Sequence, residues 1–215
     1  MRLAGLDTKE KILEVSLDLF NAEMATNVST IQIAHALDMS VGNLYYHYRN
    51  KEHIIREIYR DRIAAEIDAL VMNKDDRLSE SGIIRYFSGL AQLIYKYRFF
   101  YTEMYALVHN DPELHVIFHK RARAVARVLA EQVGTWVAVG IMKPASEDGI
   151  EALSEICWMH VTGWMSYRML AEEGADPKTL ARDSFRSIFH ILGPYFTDTA
   201  NERFEKLLEF MEFEE

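Results

Sequence analysis

Apolar positions recur every three or four residues over long stretches of this chain, and short polar breaks separate them. Ile12, Leu13, Val15, Leu17, Leu19 and Phe20 give a first helix its apolar face, and Asp7 or Thr8 opens it. The next stretch, TIQIAHALDMSVGNLYYHYRNK from Thr30 to Lys51, places Ile33, Ala34 and Leu37 on one helical face. After a break at Asp38 and Met39 it places Val41, Leu44 and Tyr48 on another. Helices this short do not stand alone in water, so the two must pack on each other and on their neighbours. At the break, Asp38 tolerates left-handed backbone geometry, Met39 is an apolar plug for the corner, and Ser40 is a strong N-cap for the second helix. The outline is that of a helix-turn-helix.

The same pattern continues through a mostly helical body. Asn50 caps a helix reaching about Met72, whose early residues Ile54, Ile55 and Ile58 pack on the preceding helices. The polar segment Asn73 to Ser81 is the expected boundary, giving a domain 1–50, a connecting helix 51–72 and a body 73–215. Helices are expected from Gly82 to Lys96, through the aromatic run Tyr95 to Val108, and from Asp111 and Pro112 to about Val139. Further helices are expected from Ser146 to Glu173, from Asp176 and Pro177 to Gly193, and from Thr199 to Phe213, the last with Phe204, Leu207, Leu208 and Met211 at seam spacing. With four prolines, ten glycines and few strand signals, the fold class is all-α. Two late helices, about 146–173 and 176–196, are apolar on more faces than one small core absorbs, so a homodimer is expected.

The chemistry of the Thr30 to Lys51 stretch points to double-stranded DNA. Gly42 takes a side chain away from the first turn of the second helix so that the backbone can approach a partner, at roughly 1 kcal/mol of helix stability. Asn43 carries an amide able to bond adenine in two places. Ser40 and Val41 lie at the helix end, where phosphate is favoured. Tyr45, His47 and Lys51 suit phosphate positioning, Tyr46 stands in the same cluster, and Thr30 and Gln32 open the first helix facing the backbone.

The segments ILEVSLDLF, TIQIAHAL and above all SVGNLYYHYRNKE resemble the DNA-binding domain of the tetracycline-repressor (TetR) family of transcriptional regulators. That resemblance covers the first sixty or so positions; beyond them it extends to length and helical layout only. It implies an N-terminal three-helix DNA-binding domain and a C-terminal helical domain for effector binding and dimerisation. It further implies a palindromic operator and release of DNA, by a repressor, on binding a small molecule. Two departures stand out, since the family usually has glycine where this chain has Met24 and often where it has Asp38. Given the implied effector, a pocket for an apolar or aromatic molecule is expected among Tyr86, Leu90, Phe100, Met104, Tyr105, Trp136, Trp158, His160 and Trp164.

Taken as a total, charge argues against a nucleic-acid partner, because the chain carries a net −9. Its distribution resolves this: residues 1–60 hold seven Lys and Arg against eight Asp and Glu, a net of −1, which leaves −8 to the remaining 155 residues. A basic stripe at Lys120, Arg121, Arg123 and Arg127 reads as a solvated face or as partners for the acidic body. A single cysteine, Cys157, fits a reducing compartment and reads as a core residue. No signal segment or membrane span is expected, and the location expected is cytoplasmic.

His115 and His119, four apart with His109 upstream, have zinc-ligand spacing, but no third ligand stands at a clear spacing and no metal or cofactor is assigned. The chain has no phosphate-cradling glycine loop, no glycine-flanked serine elbow and no metalloprotease helix motif, so an enzyme is not expected. A helical small-molecule carrier without DNA binding remains the alternative.

Overall fold

The computed structural model describes residue 3 and residues 5–72, 78–174 and 176–209, and the chain divides there into two compact units. Arg2, residues 73–77 of the expected boundary, and Met211 and Phe213 lie outside the described residues. Among the described residues the chain is helical, with an isolated antiparallel bridge between Met142 and Phe196 in place of any sheet.

The first unit holds residues 1–66 and 97–118. Its helices are α1 (Thr8–Glu23), α2 (Thr30–Ala36), α3 (Val41–His47), α4 (Lys51–Glu57) and α7 (Arg98–Asn110). Each start has a chemical cause. Asp7 accepts from the Glu10 N–H, Ser40 from Asn43 and Asn50 from His53, which satisfies donors that a helix start leaves without an intrahelical acceptor. Ile12, Leu13, Leu17 and Phe20 of α1 are buried, and so are Ile33, Ala34, Leu44, Ile54 and Ile58 of the later elements. Val15 and Leu19, expected in the same face of α1, are half-buried, and Ser16 takes a fully buried place instead.

The connecting helix is not uniform. Between α4 and α5 (Ala64–Met72) lies a π-helical segment, Ile58–Ile63. Arg62 in that segment bonds Glu14 and, at 2.5 Å, Glu10, both on α1, while Tyr59 stacks on Phe100 with ring centroids 4.9 Å apart. Phe20 meets Phe99 at 5.2 Å, and the Tyr97 hydroxyl donates to Glu66 Oε1 at 2.6 Å. The aromatic run therefore belongs with the N-terminal helices. The expected partition at Asn73–Ser81 gives way to a unit assembled from two separate stretches of chain, because Phe99 and Phe100 bury themselves against Phe20 and Tyr59.

The second unit holds residues 67–96 and 119–215. It contains α6 (Glu80–Lys96), most of α8 (Pro112–Ala138), α9 (Glu147–Ala171), α10 (Pro177–Leu192) and α11 (Asp198–Glu209). Asp111 caps α8 through the Glu113 and Leu114 N–H groups, Ser146 caps α9 and Asp176 caps α10, each as the residue type and the following Pro or acid predict. The α10 stripe of Leu180, Phe185, Ile188, Phe189 and Leu192 is buried against α6 and α9 in a core that also takes Ile83, Phe87, Trp136, Leu153 and Phe204. Lys143 N–H to the Tyr195 carbonyl (2.7 Å) and Thr197 N–H to that of Ile141 (3.0 Å) tie the α8–α9 link to the chain after α10.

Among the described residues, most of the surplus apolar surface expected on the two late helices falls on α9. There Ile156, Met159, Tyr167 and Leu170 are exposed, Leu170 to 89%, whereas α10 uses its apolar stripe within the unit.

Candidate nucleic-acid interface

Helices α2 and α3 are joined by a tight corner that begins where α2 ends. The N–H groups of Leu37 and Met39 both bond the Ala34 carbonyl, and Asp38 between them takes φ 52°. Asp38 and Met24 are the residues other than glycine with positive φ among those described, so the chain has the backbone geometry of a glycine at both positions where glycine is missing. Met24 sits at φ 70°, ψ 139°, with its N–H on the Phe20 carbonyl, and the corner after α1 forms despite the side chain.

Leu44 and Tyr48, each fully buried, pin α3 to the unit, and this fixes which residues face outward. Gly42, Asn43, Tyr45 and Tyr46 are exposed, Tyr46 to 85%, with Ser40 exposed beside them and Val41 and His47 half-buried. A Cβ on Gly42 would find only Ser40 Oγ within 4 Å, at 3.9 Å, so nothing inside the protein requires glycine there. The Tyr45 hydroxyl and Thr30 Oγ1 lie 3.0 Å apart and join the first turn of α2 to α3. His47 meets the Tyr46 ring edge-on.

Two of the expected contacts are engaged elsewhere. Lys51 Nζ donates to the carbonyls of Ala25 (2.5 Å), Val28 (2.8 Å) and Thr26 (3.3 Å), so all three of its protons serve the chain's own backbone. Gln32 closes a capping box: Oε1 accepts from the Ser29 N–H at 2.8 Å, Ser29 Oγ accepts from the Gln32 N–H, and Nε2 lies 3.4 Å from Glu23. The Ser-x-x-Gln spacing at 29–32 was the available signal for that cap.

Glu103 was not among the residues singled out from the sequence. Only 5% exposed on α7, it accepts from the Ala25 N–H at 2.5 Å and the Thr26 N–H at 2.9 Å. The link between α1 and α2 is therefore gripped through its carbonyls by Lys51 and through its N–H groups by Glu103. Arg56 on α4 bonds Asp111 Oδ2 at 2.6 Å and reaches Glu113 at 3.3 Å, which joins α4 to the start of α8.

The nine residues expected to line an effector pocket are divided between the two units. Phe100, Met104 and Tyr105 lie in the first unit, where Phe100 packs against Tyr59 and Phe118, and Tyr105 is 80% exposed and stacked on His109. Tyr86 and Trp136 fill the core of the second unit. Leu90 and His160 border a cavity of about 10 Å³, too small to hold a ligand. His160 Nε2 lies 3.1 Å from the Ser184 carbonyl and 2.9 Å from Ser187 Oγ, and burial lowers its pKa below the ordinary value. Trp164 donates to the Leu180 carbonyl. Trp158 faces a groove of about 810 Å³ between α8 and α9. Large aromatics at helical spacing satisfy a core as readily as a pocket, and here Tyr86, Phe100 and Trp136 do.

Cys157 is buried, and burial pushes its thiol up to about 12. Among the described residues no group of three His, Cys, Asp or Glu is placed to hold a metal ion, and no helix is long and apolar enough to cross a membrane.

Comparisons with known proteins agree with this geometry. Residues 12–58 match the model for "Bacterial regulatory proteins, tetR family", and residues 59–204 match that for "Bacterial transcriptional repressor" of the TetR type. A TetR-family transcriptional regulator from Marinobacter aquaeolei VT8 is 29% identical, with a TM-score of 0.86 over 95% of this chain and 98% of that one. The ketosteroid transcriptional regulator KstR2 of Mycobacterium tuberculosis shares the fold, with TM-score 0.65 and 16% identity over 92% of this chain and 100% of that one. The icaADBC negative transcriptional regulator IcaR of Staphylococcus epidermidis is 29% identical over 109 residues, which are 49% of this chain and 55% of that relative. The chain thus spans about half the length of that curated relative.

Proposed function

The chain belongs to the TetR family of bacterial transcriptional regulators, and from that premise we propose that it is a homodimeric, effector-responsive repressor that reads a palindromic operator with α3. The observation that carries this reading is the outward face of α3. Gly42, Asn43, Tyr45 and Tyr46 stand clear of the protein while Leu44 and Tyr48 hold the helix from behind. Asn43 reads a base edge, bonding adenine in two places. Gly42 lets the backbone come close, and Thr30, Ser40, Tyr45 and His47 donate to phosphate and set the register.

The exposed apolar face of α9, with Ile156, Met159, Tyr167 and Leu170, supplies the subunit interface. Two-fold symmetry then sets two α3 helices in successive major grooves, about 34–36 Å apart or a multiple of that. An effector bound in the body acts through the helices that contain residues of both units, α5 and α8, and reaches the head through Arg56 and Asp111 and through Glu103. It releases DNA because it binds one of two states better.

Selection of duplexes from a random pool with the purified chain tests the reading. A palindromic consensus bound by two chains is the expected result. Recovery of no consensus, or of a site bound by a single chain, would overturn it.

A further inference from the structure

The groove between α8 and α9 is a feature of the second unit that DNA reading does not use. One wall is a row of cationic and titratable groups on α8, His119, Arg123 and Arg127, at successive four-residue steps. The facing wall is a row of carboxylates on α9, Glu147, Glu151 and Glu155, at the same steps. Residues four apart stand one above another on a helix, so Arg123 with Arg127 and Glu147 with Glu151 and Glu155 each form a stripe of one sign, and like charges so placed repel.

Among the described residues no ion pair joins Arg123 or Arg127 to these carboxylates; Arg127 pairs within its own helix, with Glu131 at 3.9 Å. Between the stripes the floor is Ala122, Ala126 and Ala130 on one side, whose small side chains leave the space open, and Ile150, Ser154 and Trp158 on the other. On α9 the centre of the groove stripe lies about 150° around the helix from the exposed Ile156, Met159, Tyr167 and Leu170, with Glu155 at its near edge, taking about 100° per residue.

We propose that this groove binds an amphiphile with a zwitterionic headgroup. Its ammonium faces Glu151 and Glu155, its carboxylate, sulfonate or phosphate faces Arg123 and Arg127, and its apolar tail lies along the alanine floor against Ile150 and Trp158. The opposed walls decide the class. A head carrying both charges a few bonds apart satisfies both rows, whereas an anion or a cation alone answers one row and desolvates the other unpaired, and a neutral apolar molecule desolvates both. The volume of about 810 Å³ is within the range of small-molecule sites. The proposal deepens the effector reading above and rests on it for its regulatory consequence, but the binding itself is measured without DNA.

The test is calorimetric titration of the full chain with a decyl sulfobetaine below its micelle concentration, beside decyl sulfate and decyltrimethylammonium. The sulfobetaine is expected to bind about tenfold tighter than either singly charged congener, the loss of one charge-assisted contact being of that order. It is also expected to change the fluorescence of the chain, and Trp158→Phe to remove that change. Arg123→Gln with Arg127→Gln, and separately Glu151→Gln with Glu155→Gln, are each expected to weaken it about tenfold while leaving thermal unfolding unchanged, since these side chains are exposed.

Phosphatidylcholine vesicles separate the two sources of such a head. Binding of the dispersed sulfobetaine without the vesicles supports a free amphiphile. Binding of vesicles alone, equal affinity for all three decyl compounds, or variants that bind as the parent does would each overturn the proposal. Operator affinity, titrated separately, keeps the two readings apart. Sulfobetaine binding with no change in operator affinity supports the groove and sinks the effector reading; a bound operator with no sulfobetaine binding sinks the groove alone.

Discussion

Replacing Glu103 by glutamine keeps the shape of the side chain and removes its charge. Glu103 is 5% exposed and accepts two backbone N–H groups, Ala25 at 2.5 Å and Thr26 at 2.9 Å. In Glu103→Gln the amide oxygen still serves one of them, while the amide nitrogen, itself a donor, is turned toward the other. A hydrogen bond to a charged group contributes about 1.5–3 kcal/mol and a buried donor left unmade costs about 1–3 kcal/mol. The variant should therefore lose about 2–3 kcal/mol, which in a chain of this length lowers the thermal midpoint by roughly 5–10 °C. Glu103→Ala, which orphans both donors and opens a cavity, should lose more than Glu103→Gln. The assay is thermal and urea unfolding followed by circular dichroism, with Glu113→Gln as the control. Glu113 is 74% exposed and pairs with Arg56 at 3.3 Å, so its loss should stay within about 0.5 kcal/mol. If Glu103→Gln unfolds within about 0.5 kcal/mol of the parent, Glu103 does not hold the α1–α2 link and the coupling assigned to α7 is wrong.

Other substitutions read the remaining parts of the account. Lys51→Met leaves three carbonyls without their donor and should lower the unfolding midpoint; if stability is unchanged and only the salt dependence of DNA binding falls, Lys51 is a phosphate contact after all. Gly42→Ala has room within the protein and should stabilise α3 by up to about 1 kcal/mol while weakening operator binding, so unchanged binding would show that no partner backbone approaches there. Burial holds the folded pKa of His160 below the ordinary 6.5, so its contribution is fully present above pH 6.5 and is lost as pH falls through the folded value. The stability difference between the parent and His160→Gln should shrink correspondingly in urea titrations between about pH 7.5 and 5.5, and a constant difference would contradict it. With its thiol pushed up to about 12, Cys157 should resist a disulfide reagent at about pH 8 until the protein unfolds; labelling at the rate of a free thiol would refute its burial.

What was legible in the sequence was local. Asp7, Ser40, Asn50, Asp111, Ser146 and Asp176 each cap the helix expected of them, because a cap needs only a side chain and the N–H groups two or three residues on. The left-handed residue at Asp38 was legible for the same reason. Long-range commitments were not. Glu103 and Ala25 are separated by 78 residues, and Lys51 and Ala25 by 26. Neither periodicity nor residue type announces such pairs. The π-helical segment Ile58–Ile63 carries no break residue, so the helix around it reads as uniform. Which aromatics fill a core was not legible either, because aromatic residues fill a core and line a pocket with the same spacing; the Tyr97 to Tyr101 run packs on Phe20 and Tyr59.

The most direct test of the central claim is an anisotropy titration of the selected duplex at fixed salt with the parent chain and with Asn43→Ala/Tyr45→Ala. The account predicts that two parent chains bind one palindrome. It predicts that the variant, folded and with the same unfolding midpoint, loses about 1–3 kcal/mol of affinity per subunit for that duplex and much less for an unrelated one. Equal affinity of parent and variant for the selected duplex would contradict it.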